Sequence, residues 1–291
     1  MVKYGPAYSP QDASSVAIVN SQAPTTIPST SENIQNPPGT VVSSAMTSGG
    51  EGKRSGGKDE PKQPFTFREN MGSETVELIV GKDKAKFLVH KKLLCDKIPY
   101  FDKMFNGGFE EARSKIATFS EDRAQSMDLL LGWVYHGSIR KIQGTNNNGV
   151  REIPSWSFVD MYSLAHKLCL RDVQDEVMDA YLTYSFEGES MPSFETWTSA
   201  YDKVLSPSPL RTLMVYFGRL ALSFNAGEFA TAFDVPSILE LLFDNSDFGV
   251  DFLNLIRYGG AVEDPRVMPR CDFNCHGKDE PCYLTKKGPC T

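Results

Sequence analysis

Ligand-type side chains are densest at the C-terminal end, where Cys271, Cys275, His276, Cys282 and Cys290 fall within the last 21 residues. Thiolates and an imidazole are the donors with which zinc is held tetrahedrally, and four of them complete a structural site. Cys271, His276 and Cys282 are the preferred ligands, with Cys275 or Cys290 as the fourth. Neighbouring Cys275 and His276 are poorly placed to reach one ion together. The C-x3-C and C-x7-C spacings match no standard finger, so disulfide or redox chemistry and an ordinary tail stand as alternatives. The remaining chemistry is sparse. His90 sits where a strand pattern gives way to a helical one and reads as structural, satisfied by backbone hydrogen bonds. His136 and His166 fall at a helix end and on a helix face, with no Ser or Cys at a spacing that makes a nucleophile–base pair. No Walker loop or dinucleotide fingerprint occurs in a strand–helix setting. The expectation is a chain that is not an enzyme, with no catalytic residue and no small-molecule substrate.

Charge narrows the partners. A net charge of −7 leaves no cationic surplus to neutralise a run of phosphates, which argues against nucleic acid. The first 20 residues lack the apolar run of a signal peptide. The most apolar stretch, Thr212 to Phe224, is interrupted by Arg219 and is shorter than the roughly 20 residues needed to cross a bilayer. The expected class is a soluble intracellular protein of the cytoplasm, nucleus or both, with no membrane partner. Six cysteines in 291 residues are too few for a disulfide scaffold.

The elements that position these residues follow from periodicity. Residues 1–64 contain no Leu, Phe or Trp and are dense in Ser, Thr, Pro and Gly. Such a segment cannot bury enough apolar surface to offset the entropy of ordering it, so it is expected to be a disordered tail. Thr75 to Val80 and Ala85 to Val89, separated by Gly81-Lys82-Asp83-Lys84, read as a hairpin. A helix follows His90, and Pro99 opens a second short one that Gly107-Gly108 ends. Ile116, Ala117 and Phe119 suggest another strand. Met127, Leu130, Leu131, Val134 and Tyr135 then repeat at helical spacing, as do Met161, Leu164, Ala165, Leu168 and Cys169 beyond a loop at Asn146–Gly149. Val173, Val177, Ala180, Tyr181 and Tyr184 extend the pattern. Past residue 191 come Phe194, Trp197, Tyr201, Val204 and Leu205, then Leu210, Leu213, Met214, Phe217, Leu220 and Phe224. A weaker helical region spans Ile238 to Ile256, broken by Asp244 to Gly249.

The ordered landmarks from Val76 to Gly137 resemble the BTB/POZ family. They are the hairpin, Val89-His90-Lys91 with Leu93-Leu94, Tyr100-Phe101 to Met104-Phe105, Glu110-Glu111, Glu121-Asp122, and Trp133-Val134-Tyr135-His136-Gly137. Tyr162-Ser-Leu-Ala-His-Lys167 with Leu170 looks like the family's next helix. The chain looks closest to the short BTB proteins of filamentous fungi, many of which end in a similar Cys and His cluster. The resemblance implies an α+β fold at 66–190, with helices clustered on a small β-sheet. A helical region at 191–265 and a Cys-rich tail at 266–291 complete the chain.

Function follows from the same resemblance, which implies protein–protein interaction through self-association or as an adaptor. Many members bind a cullin scaffold and bring substrates to a ubiquitin ligase. Those members often carry a hydrophobic residue, any residue, then Glu after the Phe-x-x-Met-Phe helix, and Phe109-Glu110-Glu111 matches there. An exposed aromatic can anchor in a partner's groove while the carboxylates orient it. The bland reading is that Phe109 covers the domain's own core and the two Glu are solvated. The rival function is a dimerising transcription cofactor with a small zinc-binding tail. Thr75 stands where many members carry Asp and Ile98 where Ser is common. The charged pocket and strand-exchanged dimer of the transcription-factor branch are therefore not carried over.

Overall fold

The structure, a computed structural model, describes residues 66–143, 155–277 and 280–283. The expected tail at 1–64, the Asn146–Gly149 loop and Cys290 lie outside them. After a short helix α1 (Phe67–Met71), strands β1 (Thr75–Val80) and β2 (Ala85–His90) form the hairpin, pairing antiparallel from Thr75 opposite His90 to Val80 opposite Ala85. Alternation buries Val76, Leu78 and Val80 of β1 on one face. Helices α2 (Lys91–Lys97), α3 (Pro99–Asn106) and α4 (Glu110–Ser114) then carry the chain across to β3 (Ile116–Phe119). This strand pairs parallel to β1 and completes the sheet order β2-β1-β3.

Helices pack on the sheet because their apolar stripes leave no other burial. Helix α5 (Ala124–His136) buries Met127, Leu130, Leu131 and Val134. Phe101 of α3 is 0% exposed and lies against Phe105 and Phe119, with ring centroids 6.1 and 5.7 Å away. His90, expected to be satisfied by backbone hydrogen bonds, has a side chain as its partner instead: its N–H donates to Tyr135 Oη at 3.2 Å, and its Nδ1 lies 2.8 Å from the same oxygen. The phenol on α5 thereby ties down the end of β2.

Helix α6 (Phe158–Lys167) starts at Ser157, whose Oγ accepts the N–H of Asp160. It ends before Cys169, which adopts φ +57° and turns outward, so Cys169 is exposed rather than part of the buried stripe. Helix α7 (Arg171–Glu187) follows, its Tyr181 stacked on Phe158. Helix α8 (Phe194–Lys203) buries Trp197, Ala200 and Tyr201. Because it stops at Lys203, Leu205 falls in extended chain and is exposed, against expectation. Asp160, nearly buried, accepts from Arg123 Nε at 3.0 Å and from Lys203 Nζ, linking α6 to α8.

Helices α9 (Pro209–Ser223), α10 (Gly227–Ala232), α11 (Val235–Asp244) and α12 (Ser246–Tyr258) complete the helical region. The polar run expected to break the last region is instead a junction between two helices. Asn245 closes α11 and caps α12, its Oδ1 accepting the Phe248 N–H at 3.0 Å. Gly218 lets α12 approach α9, since a Cβ there would stand 3.0 Å from Phe248 and 3.2 Å from Phe252. Among the described residues no helix is long and apolar enough to cross a membrane.

Candidate functional site

Two places gather the residues singled out above. The first is the turn between α3 and α4. Gly107 makes that turn feasible, because a Cβ at this position would lie 2.3 Å from the backbone oxygen of Lys103. The chain therefore leaves α3 abruptly and delivers Phe109 as the residue before α4, where it is 59% exposed. Beside it, Tyr100, Lys103, Met104 and Glu111 line a shallow, mostly apolar hollow. Glu110 is exposed and pairs with Arg113 on α4. Helix α4 buries none of its residues, so it reads as loop in the sequence; only the left-handed Lys115 at its end, whose N–H donates to Glu111 O, hints at a helical terminus.

The second place is the C-terminal segment around a 3-10 turn (Arg270–Phe273), docked on α7 and α9. Phe273 is buried, its ring edge-on to Tyr216 at 5.5 Å. The side-chain donors of Cys271, His276 and Cys282 lie within 4.8 Å of one another. Cys275 does not join them; its Sγ lies 3.6 Å from Tyr162 Oη, and burial pushes its thiol up to about 11. Cys271 is disulfide-bonded, whereas Cys95, Cys169 and Cys275 are free thiols. Cys290 lies outside the described residues.

Helix α7 supplies what periodicity could not reveal. Asp175 is 1% exposed, accepts the Cys275 N–H, and stands 2.9 Å from His276 Nδ1. One turn on, Asp179 accepts the Tyr283 hydroxyl, and burial holds its carboxyl above the usual range. At the start of the helix Arg171 donates to the Cys275 carbonyl and pairs with Glu280 at 2.6 Å. In the sequence nothing sets these residues apart from the other polar positions between the apolar ones of the helix. They are covered because a segment about a hundred positions further on folds back over them.

The landmarks, the three-stranded sheet and the surrounding helices converge on one assignment, and residues 67–185 match the family model of the BTB/POZ domain. The chain carries a BTB/POZ domain. The match ends within α7, so the BTB domain contributes the helix onto which the C-terminal segment docks. The α+β fold expected from the resemblance is borne out, together with the helical region behind the BTB domain. A BTB domain implies protein partners or self-association. No curated protein matches the sequence.

Proposed function

We propose that the chain is a non-enzymatic interaction adaptor of the short BTB type that its sequence resembles in filamentous fungi, and that Phe109, Glu110 and Glu111 present it to a cullin scaffold. The observation that carries this reading is the exposure of Phe109 beside the hollow lined by Tyr100 and Met104. A ring that covered the domain's own core would be buried, as Phe101 is. An aromatic standing next to an apolar depression, with carboxylates at its rim, has the make-up of a binding anchor. Calorimetry of the full chain against the N-terminal helical region of the host's cullin is expected to give micromolar or tighter binding. Phe109→Ala and Glu111→Lys are each expected to weaken it by about 1–3 kcal/mol, roughly 5- to 150-fold. A folded full chain that does not bind, or variants that bind as well as the parent, would rule the reading out.

One observation favours a second reading, self-association through the helical region. Leu239 and Phe243 on α11, and Val250 and Leu253 on α12, are exposed apolar residues at helical spacing. A chain that pairs through this surface would run as a dimer in light scattering, and Phe243→Asp with Leu253→Asp would return it to a monomer. A parent that stays monomeric at concentrations of order 100 μM rejects the dimer.

A further inference from the structure

We propose that Cys271, His276 and Cys282 hold a structural zinc ion that fastens the C-terminal segment to the last helix of the BTB domain. Their three donors lie within 4.8 Å of one another. A tetrahedral zinc with bonds of about 2.0–2.3 Å separates its ligands by roughly 3.5 Å, so a small inward movement closes the site. Two thiolates and an imidazole select zinc over magnesium or calcium, which take oxygen donors.

The environment of His276 is the second, independent observation. Its Nδ1 faces Oδ2 of Asp175 at 2.9 Å, and Asp175 is almost wholly buried on α7. Zinc-bound histidines characteristically donate their other ring N–H to a carboxylate, which sets the tautomer and aims the remaining nitrogen at the metal. With Nδ1 so engaged, His276 coordinates through Nε2. Asp175 is the positioning residue. Its other oxygen accepts the Cys275 N–H, so one carboxylate fixes both the ligand ring and the backbone just before it. Cys282 is buried at the opposite end of the loop, and Arg171 clamps the loop between them through Glu280 and the Cys275 carbonyl. Cys275 is turned away toward Tyr162 and is not a ligand.

The disulfide at Cys271 and the zinc site use the same sulfur, so they are alternative states of the chain. A thiol reductant of the glutathione class supplies two electrons and two protons, turning the disulfide into two thiols while becoming a disulfide itself. Zinc then binds the thiolates and their protons pass to solvent.

The test uses the full chain purified under reducing conditions in the presence of zinc. Elemental analysis is expected to find about one zinc per chain. Replacement by cobalt is expected to give the intense visible absorption of a tetrahedral thiolate site. His276→Asn and Cys282→Ser are expected to lose at least tenfold in metal affinity. Asp175→Asn is expected to lose about 10- to 100-fold while keeping the cobalt spectrum at saturation. Cys275→Ser and Cys169→Ser are expected to bind as the parent does. Circular dichroism confirms that each variant is folded. Two results would overturn the proposal: a reduced, folded chain that takes up no zinc or cobalt, or metal bound equally well by His276→Asn and Cys282→Ser.

Discussion

Phe101→Ala is expected to lower the free energy of unfolding by about 3–5 kcal/mol, whereas Phe109→Ala, eight positions on, changes it by no more than about 0.5 kcal/mol. Both are aromatic residues at the start or end of the same helix–turn–helix stretch, and only their surroundings differ. Phe101 is fully buried, contacts the rings of Phe105 and Phe119, and its backbone oxygen accepts from the Cys95 thiol. Truncation removes the transfer energy of the ring and leaves a cavity between α3 and β3 that rigid neighbours fill poorly. Against a typical margin of about 5–15 kcal/mol, that loss brings the domain close to unfolding at physiological temperature. Phe109 projects into solvent, so its removal forfeits little that folding had gained. Urea unfolding followed by circular dichroism separates the two. A parent-like midpoint for Phe101→Ala would show that the aromatic cluster does not hold the sheet to α3. A large drop for Phe109→Ala would remove the contrast on which its role as an anchor rests.

The contrast between these two residues also marks what could be read from the sequence alone. Where burial follows a period, the sequence reads correctly: the stripes of α5, α6 and α9 and the hairpin strands rest on apolar residues recurring at helical or alternating spacing. Where an element is short and buries none of its residues, as is true of α4, no periodicity exists to be read. Errors at helix ends have a common cause. Cys169 and Leu205 extend the spacing of α6 and α8 by one step, but the backbone has already left the helix at each. The polar run from Asp244 to Gly249 carried the wrong sign. Asn and Asp favour both loops and helix starts, and here Asn245 serves as a cap. The three side chains whose donors come together, Cys271, His276 and Cys282, are visible in the sequence as a group of residue types. Their support on α7 is not, because Asp175 is a polar residue on a helix until distant chain covers it. Tertiary context decided that point, and local spacing holds no trace of it.

Arg211 is the residue whose loss should most damage the helical region. Arg211→Met is expected to cost about 3–5 kcal/mol, comparable to breaking a buried ion pair. Its guanidinium is buried at the start of α9, where Nε donates to Val204 O at 2.6 Å and one terminal nitrogen to Tyr201 O at 2.9 Å. These carbonyls belong to the last turn of α8 and to the residue that caps it, where no further helical N–H is available to bond them. The positive charge also opposes the negative end of that helix and lies over the Tyr201 ring at 4.4 Å. The third contact, to Asp247 at 3.2 Å, reaches a largely exposed carboxylate and contributes little by itself. Methionine fills much of the volume but leaves two buried carbonyls without donors. Arg211→Lys recovers only part of the loss, because an ammonium cannot reproduce the planar fork that serves two carbonyls and stacks on the ring. Thermal melts and limited proteolysis of the two variants give the measurement. The expected order of stability is parent, then Arg211→Lys, then Arg211→Met. An equal melt for Arg211→Met and parent would mean that the end of α8 is satisfied by water instead, and that Arg211 adds charge to this region without holding it together.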